Sequence, residues 1–343
     1  MGTPAPIAEK ILILFPGALG DFVCFLPALE TLARGREVDL FARTEYADLV
    51  PPSIKTRSQE CYEISRLFVP GSEREDRLKH FFAPYSRIYS WMGSGQPDFV
   101  RHLTLLSEDK LKVYPFRPSG SRIHMTDYFL SCLGEKGSSE AAPRISIRSD
   151  ALVWSHRFWQ QSHLQEKRVL VLSPGSGARE KNWPVEFYLE VAEWWERHFR
   201  GKSLVVLGPA EEERGASGDR WRCAAALRDL DLARLAALIS RCDLYLGNDS
   251  GVTHMAAALG VETVALYGPT DPVQWAPRGQ RVRVITRNIE CSPCLYSVMK
   301  SCPHRRCLTA LTPGHVIREL VKLLERTKDS ADLLDKGGGR DYS

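Results

Sequence analysis

Residues 248–254, Asn-Asp-Ser-Gly-Val-Thr-His, concentrate more chemistry than any other stretch of this chain. A short apolar run, Cys242 to Gly247, precedes them and reads as a buried strand; Met255 to Gly260 follows as a small-residue helix closed by a glycine. A strand that turns through small polar residues into a helix leaves backbone N–H groups unspent at the helix start. Those groups and the helix dipole together favour an anion, typically a phosphate. The next expected strand, Thr263 to Tyr267, runs into Gly268-Pro269-Thr270-Asp271-Pro272. Two successive strand ends thus carry polar, glycine-containing loops, which is where open α/β sheets bind ligands.

Other strand ends carry further candidates. Gly17-Ala18-Leu19-Gly20-Asp21 lies between a strand and a helix. Its glycines let a ligand approach the backbone. Asp21 reads either as an acid that caps the helix start or as a general base at the mouth of a cleft. Ser176-Gly177 and Lys181-Asn182-Trp183-Pro184 form one loop-to-helix junction. A lysine just before a helix start opposes the dipole; it is a solvated side chain or the partner of a bound anion. Glu211 and Glu212 follow Gly208-Pro209 at another strand end, where a carboxylate can take the two hydroxyls of a ribose or simply start a helix. Asp229-Leu230-Asp231 resembles a paired-acid metal motif, but no strand precedes it and Asp231 starts a helix, so capping is the better account. Ser173-Pro174-Gly175-Ser176-Gly177 is not a Walker loop, because no Gly-Lys-Ser/Thr follows.

These loops need a scaffold, and the chain offers it twice. Ile11–Phe15, Val38–Phe41 and Arg87–Trp91 read as strands, with a helix from about Phe22 to Arg34. The pattern restarts with strand Arg168–Leu172, helix Pro184–Phe199, strand Ser203–Leu207 and helix Leu232–Arg241, and ends with a helix from about Pro313 to Arg326. Alternation of strand and helix in two halves predicts two parallel-sheet α/β domains, 1–160 and 161–328. The polar stretch 148–167 reads as an interdomain helix and 329–343 as a disordered tail.

With 343 residues, 43% apolar and 26% charged, the chain has ample core for two domains. A net charge of +4 gives no argument for nucleic acid. Ile11–Phe15 is too short for a signal peptide, the apolar stretch 255–267 is interrupted by Glu262 and glycines, and Met1-Gly2 is followed by Pro6 where a myristoylation signal needs Ser or Thr. A cytoplasmic protein is therefore expected. Nine cysteines are present, and five of them (Cys24, Cys61, Cys132, Cys223 and Cys242) read as small core residues. Cys291-Ser292-Pro293-Cys294 with Cys302 and Cys307 has spacings that zinc could use; a loop of reduced thiols is the favoured reading. Lys79-His80-Phe81-Phe82 and Tyr85-Ser86-Arg87 could touch a lipid surface, although a buried aromatic cluster accounts for them better.

Taken together, the motifs resemble glycosyltransferase family 9, the family of the ADP-heptose lipopolysaccharide heptosyltransferases. The residues that carry the resemblance, in chain order, begin with Gly17–Asp21 and Leu26-Pro27-Ala28-Leu29. Pro174–Gly177, Lys181–Pro184, Asn248–Gly251, His254–Gly260 and Gly268–Pro272 follow. The resemblance implies a GT-B architecture, two Rossmann-like domains facing across a cleft, and inverting sugar transfer from a nucleotide sugar, an ADP-sugar first of all, with no metal or other cofactor. It implies Asp21 as base, with Gly17 and Gly20 beside it. Ser176, Gly177 and Lys181 would lie on the diphosphate and Glu211 on the ribose. Asp249, Ser250, Gly251 and His254 would line the donor sugar and phosphate. The partners implied are the donor and a glycolipid or polysaccharide acceptor, with peripheral contact at the inner membrane surface and no nucleic acid. One departure stands out: where members commonly carry an aspartate-glutamine segment on the acceptor side, this chain reads Ser90-Trp91-Met92-Gly93-Ser94-Gly95-Gln96-Pro97. The remaining alternatives are a non-catalytic nucleotide-sugar-binding relative and a same-fold epimerase or hydrolase.

Overall fold

The structure, a computed structural model, describes residues 9–120, 122–135, 137, 141–208, 221, 224–287 and 289–336. Among them are two all-parallel sheets. The first has β1 (Glu9–Leu14), β2 (Arg36–Ala42), β3 (Ile54–Ser58), β4 (Arg87–Ser90) and β5 (Leu111–Val113) in the order β3-β2-β1-β4-β5. The second has β6 (Val169–Ser173), β7 (Lys202–Val206), β8 (Ala225–Leu227), β9 (Leu244–Asn248), β10 (Thr263–Tyr267) and β11 (Val282–Thr286) in the order β11-β10-β9-β6-β7-β8. Every residue of β6, β9 and β10 is buried. That is expected of parallel strands covered on both faces, and it is why they read as unbroken apolar runs rather than alternating ones.

Strand order reverses between β1 and β4 in the first sheet and between β6 and β9 in the second. Loops that leave neighbouring strands at such a point run to opposite faces and open a crevice. The sequence motifs fall there: the Gly17 loop follows β1, the Pro174 loop follows β6 and the Asp249 loop follows β9.

One apolar cluster runs from the first sheet to the second, joining Ile11, Phe15 and Phe25 to Val169, Val171 and Tyr245. The expected interdomain helix forms over Ser149–Gln161 and packs on the helix Leu232–Ile239, where Ala151 meets Ala233 and Ala237. Asp231 caps that second helix by accepting from Arg234 N–H at 2.7 Å, as the sequence predicted.

Some boundaries move. The helix after β9 begins at Gly251, inside the polar motif, rather than at Met255. The last helix runs from Pro313 to Lys336, beyond the expected end near Arg326. Within 79–87 the aromatic residues form part of the core while Lys79, His80 and Arg87 are exposed: Phe82 and Tyr85 are buried, and the Tyr85 hydroxyl donates to Asp39 at 2.6 Å. Of the scattered cysteines, Cys24 and Cys242 are buried, Cys61 and Cys132 are half-buried, and Cys223 lies outside the described residues.

Candidate active site

Two helix N-termini, one from each domain, meet at the crevice. The first is that of Leu19–Ala33 and the second that of Gly251–Ala258, and the two helices pack on each other. Glycine makes the meeting sterically feasible. A Cβ on Gly251 would fall 2.6 Å from Leu19 Cβ and 2.9 Å from the Gly20 nitrogen. On the first-domain side, a Cβ on Gly17 would lie 2.5 Å from the Phe15 ring and 2.8 Å from Asp21 Cβ. The Gly17 carbonyl is fixed by the Tyr46 hydroxyl at 2.9 Å. Two converging positive helix ends create an anion-seeking potential without a metal.

Asp21 sits in the first turn of its helix, and its Oδ2 accepts the Ala18 N–H at 3.2 Å. The capping role is therefore present, and it spends only one oxygen. Oδ1 lies 2.8 Å from Arg117 Nη2 and, being buried, has no hydrogen bond of good geometry. Burial pushes the carboxyl up from its ordinary range, and the charge of Arg117 opposes that push. A carboxyl held above the usual range by desolvation is a better proton acceptor than a solvated one.

The second domain supplies a stapled loop. Asn248, the last residue of β9, donates through Nδ2 to the Pro174 carbonyl at 2.6 Å, and its Oδ1 accepts Trp183 N–H at 3.0 Å. One buried amide thereby ties the loop after β6 to the loop that carries Lys181. Trp183 is locked in turn by donating from its indole to the Leu311 carbonyl at 2.7 Å. Lys181 closes a short 3₁₀ turn, and its ammonium pairs with Asp249 Oδ2 at 2.7 Å. The conflict between this lysine and a helix dipole, expected from sequence, is met by a carboxylate of the next strand loop. Ser176 is buried, its hydroxyl 2.6 Å from Asn182 Oδ1 and 2.7 Å from the Ala178 carbonyl, so it shapes the loop. Ser250 caps the Gly251 helix by accepting from Thr253 N–H. His254 is buried with Nδ1 3.7 Å from Cys24 Sγ; burial pushes its imidazole down to about 4, so it is neutral near pH 7.

Two adjoining cavities result. One, of about 550 Å³, is lined by Asp21, Arg117, Lys181, Asp249, His254 and Trp275 among others. The other, of about 400 Å³, is more apolar and is lined by Gly175, Val206, Leu207, Leu230 and Leu235 among others. They share Ala18, Gly20, Ser250 and Gly251, at the two helix starts, and Gly177 of the loop after β6. The space suits a ligand with a flat apolar end, an anionic middle and a hydroxyl-rich end. Across the mouth, Arg122 forks onto Asp271 at 2.5 and 2.8 Å, and Arg278 onto Asp127 at 2.7 and 2.5 Å. Each pair joins the first domain to the second.

Residues 138–303 match the family model for glycosyltransferase family 9 (heptosyltransferase). That stretch, just under half of the chain, carries a glycosyltransferase family 9 domain. The chain is 28% identical over 169 residues to a lipooligosaccharide heptosyltransferase 2 of Campylobacter jejuni, covering 46% of this chain and 52% of that one, so the chain spans about half that relative's length. It is 29% identical over 278 residues to the lipopolysaccharide heptosyltransferase 2 of Salmonella typhimurium, covering 76% of this chain and 75% of that one. The crystal structure of a family 9 glycosyltransferase from Veillonella parvula superposes with a TM-score of 0.74, at 19% identity, over 95% of this chain and 100% of that one. The architecture is GT-B, as the resemblance implied.

The structure brings Gly20, Asp21, Gly177, Lys181, Asp249, Ser250, Gly251 and His254 to one cavity, and Ser176 to its neighbour. Gly17 stands behind them, supporting Asp21. Glu211 lies outside the described residues. The paired acids separate. Asp231 is a cap, whereas Asp229 has a left-handed backbone (φ 53°) and lines the apolar cavity. Sequence reasoning missed Arg117, which comes from a loop with no local motif, and Trp275, which ends the short helix Pro272–Trp275 just beyond the Gly268–Pro272 motif, and it left Asn248 without a role although it opens the key motif. A buried asparagine at a strand end is the one signal that could have marked it. Among the described residues no helix is long and apolar enough to cross a membrane, and no group of three or more His, Cys, Asp and Glu side chains has metal-binding geometry.

Proposed function

We propose that this protein is an inverting, metal-independent glycosyltransferase. It moves a heptose-like sugar from an ADP-sugar onto a lipopolysaccharide core or related surface glycan. The observation that carries the reading is that one desolvated carboxylate, Asp21, lines the same cavity as two helix N-termini and Lys181. The names of the relatives supply the substrate class.

In this reading the adenosine lies in the apolar cavity and the diphosphate over Gly177 and Gly251, with the sugar against Asp249 and His254. The acceptor hydroxyl attacks the anomeric carbon from the face opposite the diphosphate, and its proton passes to Asp21. The bond from the anomeric carbon to the diphosphate oxygen breaks, and the electron pair leaves with ADP. Charge growing on the leaving group is met by the helix-start N–H groups and Lys181, which are in place before the reaction and do not reorganise during it. Attack from the opposite face inverts the anomeric centre. Asp249 balances Lys181 and is placed to accept sugar hydroxyls. The acceptor is a glycolipid at the inner face of the cytoplasmic membrane, reached by a cytoplasmic protein through peripheral contact.

The test is a calorimetric screen of nucleotide sugars, ADP-linked ones first, followed by transfer to a lipopolysaccharide-core acceptor with the product's anomeric configuration read by NMR. An inverted product from an ADP-sugar is expected. Donor hydrolysis with no transfer would make the protein a hydrolase. Binding without turnover would make it a non-catalytic relative.

A further inference from the structure

Arg117 belongs to no motif, yet it touches the one carboxylate on which the proposed reaction depends. It comes from the loop after β5, and its guanidinium stands between two aromatic rings of different origin. The Phe116 ring centroid is 4.1 Å away on its own side, and that of Trp275 is 4.7 Å away across the cleft. Stacking of this kind fixes the plane of an arginine without consuming its N–H groups. The free edge meets Asp21 Oδ1 at 2.8 Å, and that oxygen is shielded from solvent.

We propose that Arg117 is a positioning residue for Asp21, holding its carboxylate in one orientation with Oδ2 on the Ala18 N–H and Oδ1 kept for the acceptor hydroxyl, and that Trp275 sets this arginine from the opposite domain. The inference rests on the reading of Asp21 as the base. Its physical content is a division of labour between the two carboxylate oxygens. Oδ2 is committed to the helix start. Oδ1 has an ion-pair neighbour but no well-angled hydrogen bond, so its lone pairs remain available to a hydroxyl that displaces the arginine. Until then the guanidinium excludes water from it.

The other groups around Asp21 do not replace Arg117. Lys181 reaches it through space more weakly and is already paired with Asp249. Cys24 and Tyr46 are both pushed up by burial, Cys24 to about 12, and stay neutral. Burial alone drives the carboxyl toward protonation, and Arg117 is the largest opposing influence. An opposite charge within 4–6 Å moves a carboxyl by roughly one to three pKa units.

The test titrates Asp21 directly, by NMR of protein carrying ¹³C-labelled aspartate, with Asp21→Asn to assign the signal, and in parallel records kcat/KM against pH. In Arg117→Gln the Asp21 midpoint should rise by about one unit or more, and the acid limb of kcat/KM should rise with it. Arg117→Lys should restore most of the shift. Trp275→Leu, which leaves the charge in place but loosens it, should move both in the same direction by less; it serves also if Arg117→Gln does not fold. An Asp21 midpoint that stays put in Arg117→Gln, or in Trp275→Leu if that is the variant that folds, overturns the proposal. A midpoint that rises while the kcat/KM limb stays put supports the placement of Arg117 and instead sinks Asp21 as the base.

Discussion

The loop after β1 and the loop after β9 are built alike and charged differently. Each leaves a parallel strand at the point where strand order reverses, and each turns through glycine into a helix. In the first, the helix start receives a carboxylate from its own first turn, Asp21. In the second, the cap is a neutral hydroxyl, Ser250, while the adjacent carboxylate, Asp249, is turned away onto Lys181. One terminus has given part of its electrostatic capacity to an acid. The other keeps its capacity for an incoming anion. In the proposed reaction the same local geometry serves as a proton acceptor on one wall and a phosphate site on the other, and the difference lies in where a single acid is attached.

The sharpest way to break this asymmetry is Asp21→Asn, which keeps the shape and removes the basicity. Loss of a general base costs about 100-fold or more in turnover, while donor affinity, which belongs to the other wall, should stay near the wild-type value. Steady-state kinetics and calorimetry on the same preparation check this. Near-normal turnover would remove Asp21 from the chemistry.

On the opposite wall, Lys181→Ala should act in the complementary way. It removes the one lysine that lines the anion site among the described residues and also leaves Asp249, which is buried, without that ion-pair partner. Weakening of ADP binding by about 10- to 100-fold is expected, the size typical of one lost charge-assisted contact, together with slower departure of the leaving group. Adding Mg²⁺ or EDTA to the unmodified protein should change the rate little. A strict Mg²⁺ requirement would contradict the division of charge described above and direct attention to Asp229, which lines the neighbouring cavity.

How far the sequence announced these two walls differs between them. The second wall was legible because its parts are local: a strand, a polar turn and a small-residue helix lie within Leu244–Ala258, and local order is what periodicity and capping rules read. The first wall was half legible. Asp21 was visible at its helix start, but Arg117, which sets it, lies 96 positions later in a loop whose place is fixed by the packing of two sheets. Lys181 shows the same limit from the other side. Its residue type pointed to an anion, and the partner it has in the structure is Asp249, 68 positions away. Contacts made across the topology leave no mark in a local pattern.

His254 offers a smaller lever on the second wall. Burial holds its imidazole at about 4, against an ordinary value of 6.5, so the folded chain refuses a proton that the unfolded chain accepts. Its contribution to stability is complete above pH 6.5 and is lost as the pH falls toward 4. Between pH 7 and pH 5 the unmodified protein should therefore lose about 2 kcal/mol more than His254→Gln. Asp21, raised rather than lowered, gives a slope of the opposite sign in both proteins and cancels in the difference. Urea unfolding at the two pH values measures this. Equal losses would mean that His254 takes up its proton in the fold as readily as in the unfolded chain and would change its role toward the donor.

The smallest effect on chemistry is expected at the cysteine loop, which rims the second wall without entering the charge arrangement. Cys294 N–H donates to the Pro269 carbonyl at 2.7 Å and the Ser292 hydroxyl to the Gly268 carbonyl at 2.5 Å, so the loop is tied to the turn after β10. Cys291 is exposed, Cys294 and Cys302 are half-buried, and Cys307 is buried. Burial first, and the neighbouring Cys294, Cys291 and Cys302 thiols second, push Cys307 up to about 11. A thiol held protonated as Cys307 is packs as a small apolar group, whereas a metal takes thiolates. Replacing all four by serine should accordingly lower the melting temperature by a few degrees while leaving transfer within about 3-fold of normal, the outcome for thiols that shape the cavity wall, which Cys294 lines, without bringing charge to it. Elemental analysis of the reduced protein should return essentially no zinc or iron. About one equivalent of metal, with stability lost on chelation, would make the loop a metal centre. A variant with an unchanged melting temperature and no transfer activity would put the cysteines inside the chemistry and end the separation of the two walls into one that reacts and one that binds.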